Sequence, residues 1–163
     1  MAARALRHRI DDAREGVVRG LGIPARLSFV TLACRDLAAM QKFYDQFGWP
    51  KSKFSDESFA AYQCGGAVLG LFGAKNYEKA YGPPPEAGAF KGFVLALNCR
   101  DAAEVDRIYT EMKKIPGVTM KSEPTNLSFG GRGFDWLDPE GNAWEVTWAE
   151  GTSFDEREGL IFP

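Results

Sequence analysis

The chain has 163 residues, 45% of them hydrophobic and 26% charged, with a net charge of −2. That length suits one domain burying roughly 70% of its unfolded surface, and the balanced charge excludes the broad basic surface that nucleic acid or anionic membrane binding requires. No apolar run approaches the roughly 18 residues of a membrane helix. Three cysteines (Cys34, Cys64, Cys99) without a CxxC pair predict reduced thiols and a cytoplasmic protein.

From the N-terminus, Leu6, Ile10, Ala13, Val17 and Leu21 recur at helical spacing, which predicts an amphipathic helix over residues 4–20 ending near Gly20 and Gly22. No apolar stretch follows Arg4, Arg7, His8 and Arg9, and Asp11, Asp12 and Glu15 are too acidic for a transit peptide. Residues 1–24 are therefore read as a helix that packs on the domain or on a second subunit, with a partner-docking arm as the alternative.

The next segment is duplicated. FVTLACRDLAAMQKFY (Phe29–Tyr44) and VLALNCRDAAEVDRIY (Val94–Tyr109) share six identical positions at an offset of 65. Each copy begins as a β-run, turns at Arg-Asp and continues as a helix, with Asp36 and Asp101 as N-caps and Asp101 with Glu104 as a capping-box pair. Short strands follow each helix: about 51–55, 59–63 and 66–72 in the first copy, and about 118–122, 132–137 and 143–148 in the second. The order βαβββ, twice, predicts an α+β fold in which two modules form an eight-stranded half-open cup, helices outside, plus the N-terminal helix. The predicted layout is a helix at 1–24, a domain at 25–150 (modules 25–73 and 92–150) and a tail at 151–163. The Gly/Pro-rich linker 74–91 is placed to cover a pocket.

Val30-Thr31-Leu32, Arg35-Asp36-Leu37 and Phe43-Tyr44, and above all Asp138-Pro139-Glu140-Gly141-Asn142-Ala143-Trp144-Glu145-Val146, resemble the vicinal oxygen chelate superfamily over about residues 25–150. That superfamily includes glyoxalases, extradiol dioxygenases and bleomycin-binding proteins. The resemblance implies a cup in which metal-dependent members hold a divalent cation with four inward side chains, two per module. The corresponding positions here are Phe29, Gly70, Val94 and Glu145, of which only Glu145 carries a donor. Such a site takes three or four N/O ligands at about 2.0–2.2 Å, so no metal and no cofactor are expected. The relatives' habit of pairing modules between subunits implies a homodimer.

By strand alternation, Phe29, Thr31 and Ala33 share a face with Val94, Ala96 and Asn98. Tyr62 and Trp136, each on the strand before a module's last, are read as pocket aromatics, and Trp144 and Trp148 as core. The expected ligand-binding set is thus Phe29, Thr31, Tyr62, Gly70, Val94, Asn98, Trp136 and Glu145, a largely apolar lining that suits a small apolar molecule with few polar anchors. Three readings of Glu145 stay open: a relic held by hydrogen bonds from Thr31, Asn98, Thr147 or backbone; a polar anchor for a ligand; and a general acid or base. The functional expectation is a metal-independent small-molecule-binding protein. The alternative is a metal-free, glyoxalase-like lyase or isomerase with Glu145 as the catalytic proton-transfer group. Arg132 is placed to meet an anionic group at the cup mouth, and Cys34 and Cys99 are read as structural thiols.

Overall fold

A computed structural model describes residues 27–86, 88–89, 91–128 and 130–162; the helix expected at 4–20 lies outside them. The first module comprises β1 (Phe29–Cys34), α1 (Leu37–Asp45), β2 (Phe59–Cys64) and β3 (Ala67–Gly73). After α2 (Ala74–Tyr81) come β4 (Leu95–Asn98), α3 (Ala102–Met112), β5 (Thr119–Met120), β6 (Thr125–Leu127), β7 (Gly131–Leu137) and β8 (Ala143–Ala149). β9 (Ser153–Phe154) and β10 (Leu160–Ile161) pair as a hairpin in the segment read as a tail.

The duplication extends to topology. One sheet has the order β1-β3-β2 and the other β4-β8-β7-β5, with β6 also on β7. In each, the first strand runs parallel to the module's last (β1 with β3, β4 with β8) and the remaining pairings are antiparallel. The strand expected at 51–55 is reduced to a single bridge, Lys51 to Tyr62, the counterpart of Met120 opposite Trp136. Among the described residues the eight module strands form a three-stranded and a five-stranded sheet that are not hydrogen-bonded to each other. The linker is not wholly irregular, because its first half is α2.

Capping fixes where the helices begin. Asp36 accepts from Ala39 N at 2.9 Å and Asp101 from Glu104 N at 2.7 Å. Glu104 reaches back to the N–H of Arg100 rather than that of Asp101, closing the box one residue early. α1 turns Leu37, Met40, Phe43 and Tyr44 inward, and the chain leaves it through Gly48 at φ +68, a left-handed conformation suited to glycine.

Both sheets bury one face in the same core. The first contributes Leu32, Cys34, Ala60, Tyr62, Leu69 and Leu71; the second contributes Phe134, Trp136, Trp144 and Val146. α1 bridges them: the Tyr44 ring lies 6.0 Å from Tyr62 and 6.1 Å from Trp144, and Phe43 lies 6.1 Å from Trp136. The terminal signature closes this core from below. Asp138 accepts from Glu140 N, Asn142 N and Asn142 Nδ2, folding the β7–β8 turn, and takes a fourth hydrogen bond from the Tyr44 hydroxyl at 2.8 Å. Because each sheet has one face in the shared core, the opposite faces lie on the outside of the chain.

Candidate functional site

The outer face of the first sheet is aromatic. Register places Phe29, Thr31 and Ala33 of β1 beside Val68, Gly70 and Phe72 of β3, which face Gln63, Ala61 and Phe59 of β2. Phe29 is stacked with Phe59 at 6.3 Å, and Phe59 meets Phe72 edge-on at 6.3 Å. The Phe29 ring lies across Gly70: a Cβ there would be 2.4 Å from Phe29 Cε1. Glycine at this position therefore makes room for the ring. α2 packs against β1 and β3, and its Tyr77, with Thr31, Ala33, Pro85 and Phe93, encloses a cavity of about 160 Å³. The linker does cover part of this face.

The outer face of the second sheet is acidic at its centre. Glu145 lies between Ala96 on β4 and Asp135 on β7. Burial, and then the neighbouring Asp135 carboxylate, raise the Glu145 pKa above the ordinary glutamate value. Among the described residues no group donates a hydrogen bond to the Glu145 carboxylate. Thr147 spends its hydroxyl on the Arg132 carbonyl at 3.4 Å. Asp135 is the residue that sequence reasoning missed. The signal was available, because reflecting Glu145 through the Asp138–Asn142 turn lands on Asp135.

Phe29, Thr31 and Gly70 therefore come together on one outer face, and Asn98 and Glu145 share the other, with Val94 just ahead of β4. Phe29 and Val94 remain 44% and 59% exposed. Tyr62 and Trp136 do not join them: both are fully buried on the core side. Tyr62 donates to Asp45 Oδ1 at 2.8 Å, and Trp136 stacks on Trp144 at 5.4 Å. The expectation failed by parity, since each pairs across its hairpin with a core-facing residue, Tyr62 with Leu69 and Trp136 with Trp144. Arg132 likewise faces the helices, paired with Asp106 of α3 at 2.8 Å, not the cup mouth. Cys34 and Cys99 are buried thiols whose pKa values burial pushes up to about 12.

A search against family models matches residues 26–146 to the Glyoxalase/Bleomycin resistance protein/Dioxygenase superfamily. The chain belongs to that superfamily. Among solved structures it is similar to a glyoxalase-related enzyme from Fulvimarina pelagi, at 24% identity and TM-score 0.74, covering 85% of this chain and 99% of that one. A lactoylglutathione lyase from Agrobacterium tumefaciens matches at 26% identity and TM-score 0.61 over 77% and 95% of the two chains. A glyoxalase/bleomycin resistance protein/dioxygenase from Nocardioides matches at 22% and TM-score 0.67 over 94% and 99%. No curated protein matches the sequence.

The superfamily's metal chemistry does not fit these residues. Phe29, Gly70 and Val94 offer no donor atom from their side chains, and among the described residues no three His, Cys, Asp or Glu side chains cluster as a metal site. Glu145 and Asp135 supply two carboxylates on one face, short of the three or four ligands required. No helix among the described residues is long and apolar enough to cross a membrane.

Proposed function

We propose that this protein binds a small, largely apolar molecule without a metal. The observation that carries the reading is Phe29 lying across Gly70, aromatic surface at two of the four positions that the family resemblance implies for metal ligands. With Phe59 and Phe72 it forms a wall suited to a flat or aliphatic ligand body. Glu145, raised in pKa and with no hydrogen-bond donor among the described residues, is the polar anchor for a ligand N–H or O–H. The two faces are on the outside of one chain, so an enclosed site needs the aromatic face of one copy set against the acidic face of another, and the homodimer is part of the proposal. Thermal-shift screening with apolar and aromatic compounds tests binding: stabilisation in the unmodified protein, lost in Phe29→Ala, is expected, and no stabilisation by any compound would sink the reading. Sedimentation showing only an 18.0 kDa monomer at micromolar concentration would remove the enclosed site.

A second reading is favoured by Asp135. Two adjacent carboxylates, one with a raised pKa, suit proton transfer in a metal-free lyase or isomerase. Glu145→Gln separates the two: it binds without turnover if Glu145 moves the proton, and full turnover in that variant excludes it.

A further inference from the structure

A second cavity lies away from both Phe29 and Glu145. It is a groove of about 630 Å³ between the two modules, lined mainly by core-side residues and also by Val68, Ala96 and Asn98, which share the parity of the outer faces. Its walls include Val30 of β1, Leu95 and Leu97 of β4, Trp144 of β8 and Leu160 of the C-terminal hairpin. These side chains point the same way as residues that are sealed elsewhere in the same strands: Val30 shares its face with Leu32 and Cys34, both essentially inaccessible, yet Val30 is only half-buried. The shared core is unfinished at this end. Filled with solvent, the groove would hold on the order of twenty waters against mostly apolar walls, an arrangement that apolar surface disfavours.

Two observations indicate what closes it. Leu27, the first described residue, lines the groove and is 76% exposed, so the point to which the 26 preceding residues are attached is at the groove. Those residues carry the stripe Leu6, Ile10, Ala13, Val17, Leu21, and a helix over 4–20 would be about 25 Å long. They also carry six arginines against three acids in a chain whose net charge is −2, so the remainder is distinctly acidic, while at the groove itself Glu158 is paired with Arg100 and Glu104 with Arg107. Gly20, Gly22 and Pro24 interrupt helix beyond that point and leave a short tether to Leu27.

We propose that residues 4–20 form an amphipathic helix that seats its apolar stripe in this groove of its own chain and completes the core. The occupant is intramolecular: a tether of about seven residues reaches roughly 25 Å, and the effective concentration of so short a link outweighs exchange with another copy.

Cys64 is the reporter, because it is half-buried and lines the groove, whereas Cys34 and Cys99 are buried. In the full chain, Ile10→Asp/Val17→Asp should raise the rate of maleimide alkylation at Cys64 at least tenfold while Cys34 and Cys99 stay unreacted. An unchanged rate, or a Cys64 in the unmodified protein that already reacts as fast as in denatured protein, would overturn the proposal. Oxidative cross-linking does not depend on that destabilised variant. Ile10→Cys, Ala13→Cys and Val17→Cys, made singly, should include at least one that forms a disulfide with Cys64 at monomer mobility, and Glu15→Cys, on the opposite face of the helix, should not. Cross-links only at dimer mobility would assign the groove to a second copy, and equal cross-linking from all four positions would mean no seated face; either overturns the assignment.

Discussion

Tyr44→Phe removes one oxygen from the shared core and two hydrogen bonds with it. The hydroxyl donates to Asp138 Oδ2 at 2.8 Å and accepts from Trp144 Nε1 at 3.1 Å. Burial, and then the Asp138 carboxylate, push the Tyr44 pKa far up, so the group stays a donor at any working pH. After the substitution Asp138 keeps its three donors within the turn, whereas the buried Trp144 N–H is left with none. A stranded buried donor costs about 1–3 kcal/mol and a lost bond to a carboxylate about 1.5–3 kcal/mol; the two share an atom and do not add in full, so a net loss of about 2–4 kcal/mol is expected. For a chain of this length that lowers Tm by about 5–15 °C. The repeat supplies its own control. Tyr109 occupies the same position 65 residues on, is half-buried, and its hydroxyl makes no hydrogen bond among the described residues. Tyr109→Phe should therefore stay within about 0.5 kcal/mol. Thermal and urea unfolding followed by circular dichroism reads both variants. Equal effects from the two would refute the account of Asp138 and Tyr44 as the lock between modules.

Gly70→Ala forces Phe29 to swing, and because that ring is partly exposed the cost is small: loss of stacking of about 0.5–1.5 kcal/mol is offset by about 0.5–1 kcal/mol from replacing a strand glycine. Tm should move by only a few degrees while affinity for any ligand found by screening falls; unchanged affinity would mean that the Phe29 wall is not the site. Glu145 has a folded-state pKa above its unfolded value, so its ionisation destabilises the fold, and stability from this group is lost as pH rises from about 4.5 through the folded value. Glu145→Gln should thus match the unmodified protein near pH 4 and exceed its Tm at pH 7, and a variant less stable at pH 7 would contradict the burial of this carboxylate. Elemental analysis should find no stoichiometric divalent metal, and chelator should leave Tm unchanged. Phe29→His/Gly70→Glu/Val94→His places donors at all four positions on two different outer faces, so divalent-metal binding should appear only in dimers; a monomer binding one cation would show that the faces converge within one chain.

Much of the fold could be read from residues because its determinants are local. The Arg-Asp turns, the two caps and the glycine after α1 act within a few residues of themselves, and the offset of 65 copies the turns and the caps. Elements that depend on distant partners were not readable in the same way. α2 has no side-chain cap and no buried residue, so its apolar signal is weak within a Gly/Pro-rich segment. β6 exists only because β7 lies opposite it, and Lys51 pairs with β2 at a single bridge, to Tyr62.

The site was less readable, and the cause is parity. One face of each strand goes to the core and the other to solvent, so assigning Tyr62 to the wrong face places a structural hydroxyl in a pocket. The cross-strand partner settles the matter, as Asp135 opposite Glu145 shows. The same logic explains why the terminal signature marks the superfamily firmly and its chemistry poorly. Asp138, Asn142 and Trp144 are spent on one another and on Tyr44 in the lock between modules. Glu145, the charged side chain of that run with outward parity, points to the outer face, where it meets Asp135 and, among the described residues, no donor. A strand that holds the fold with one parity leaves the other free to vary, so outward positions such as Phe29 and Gly70 can differ without disturbing the core.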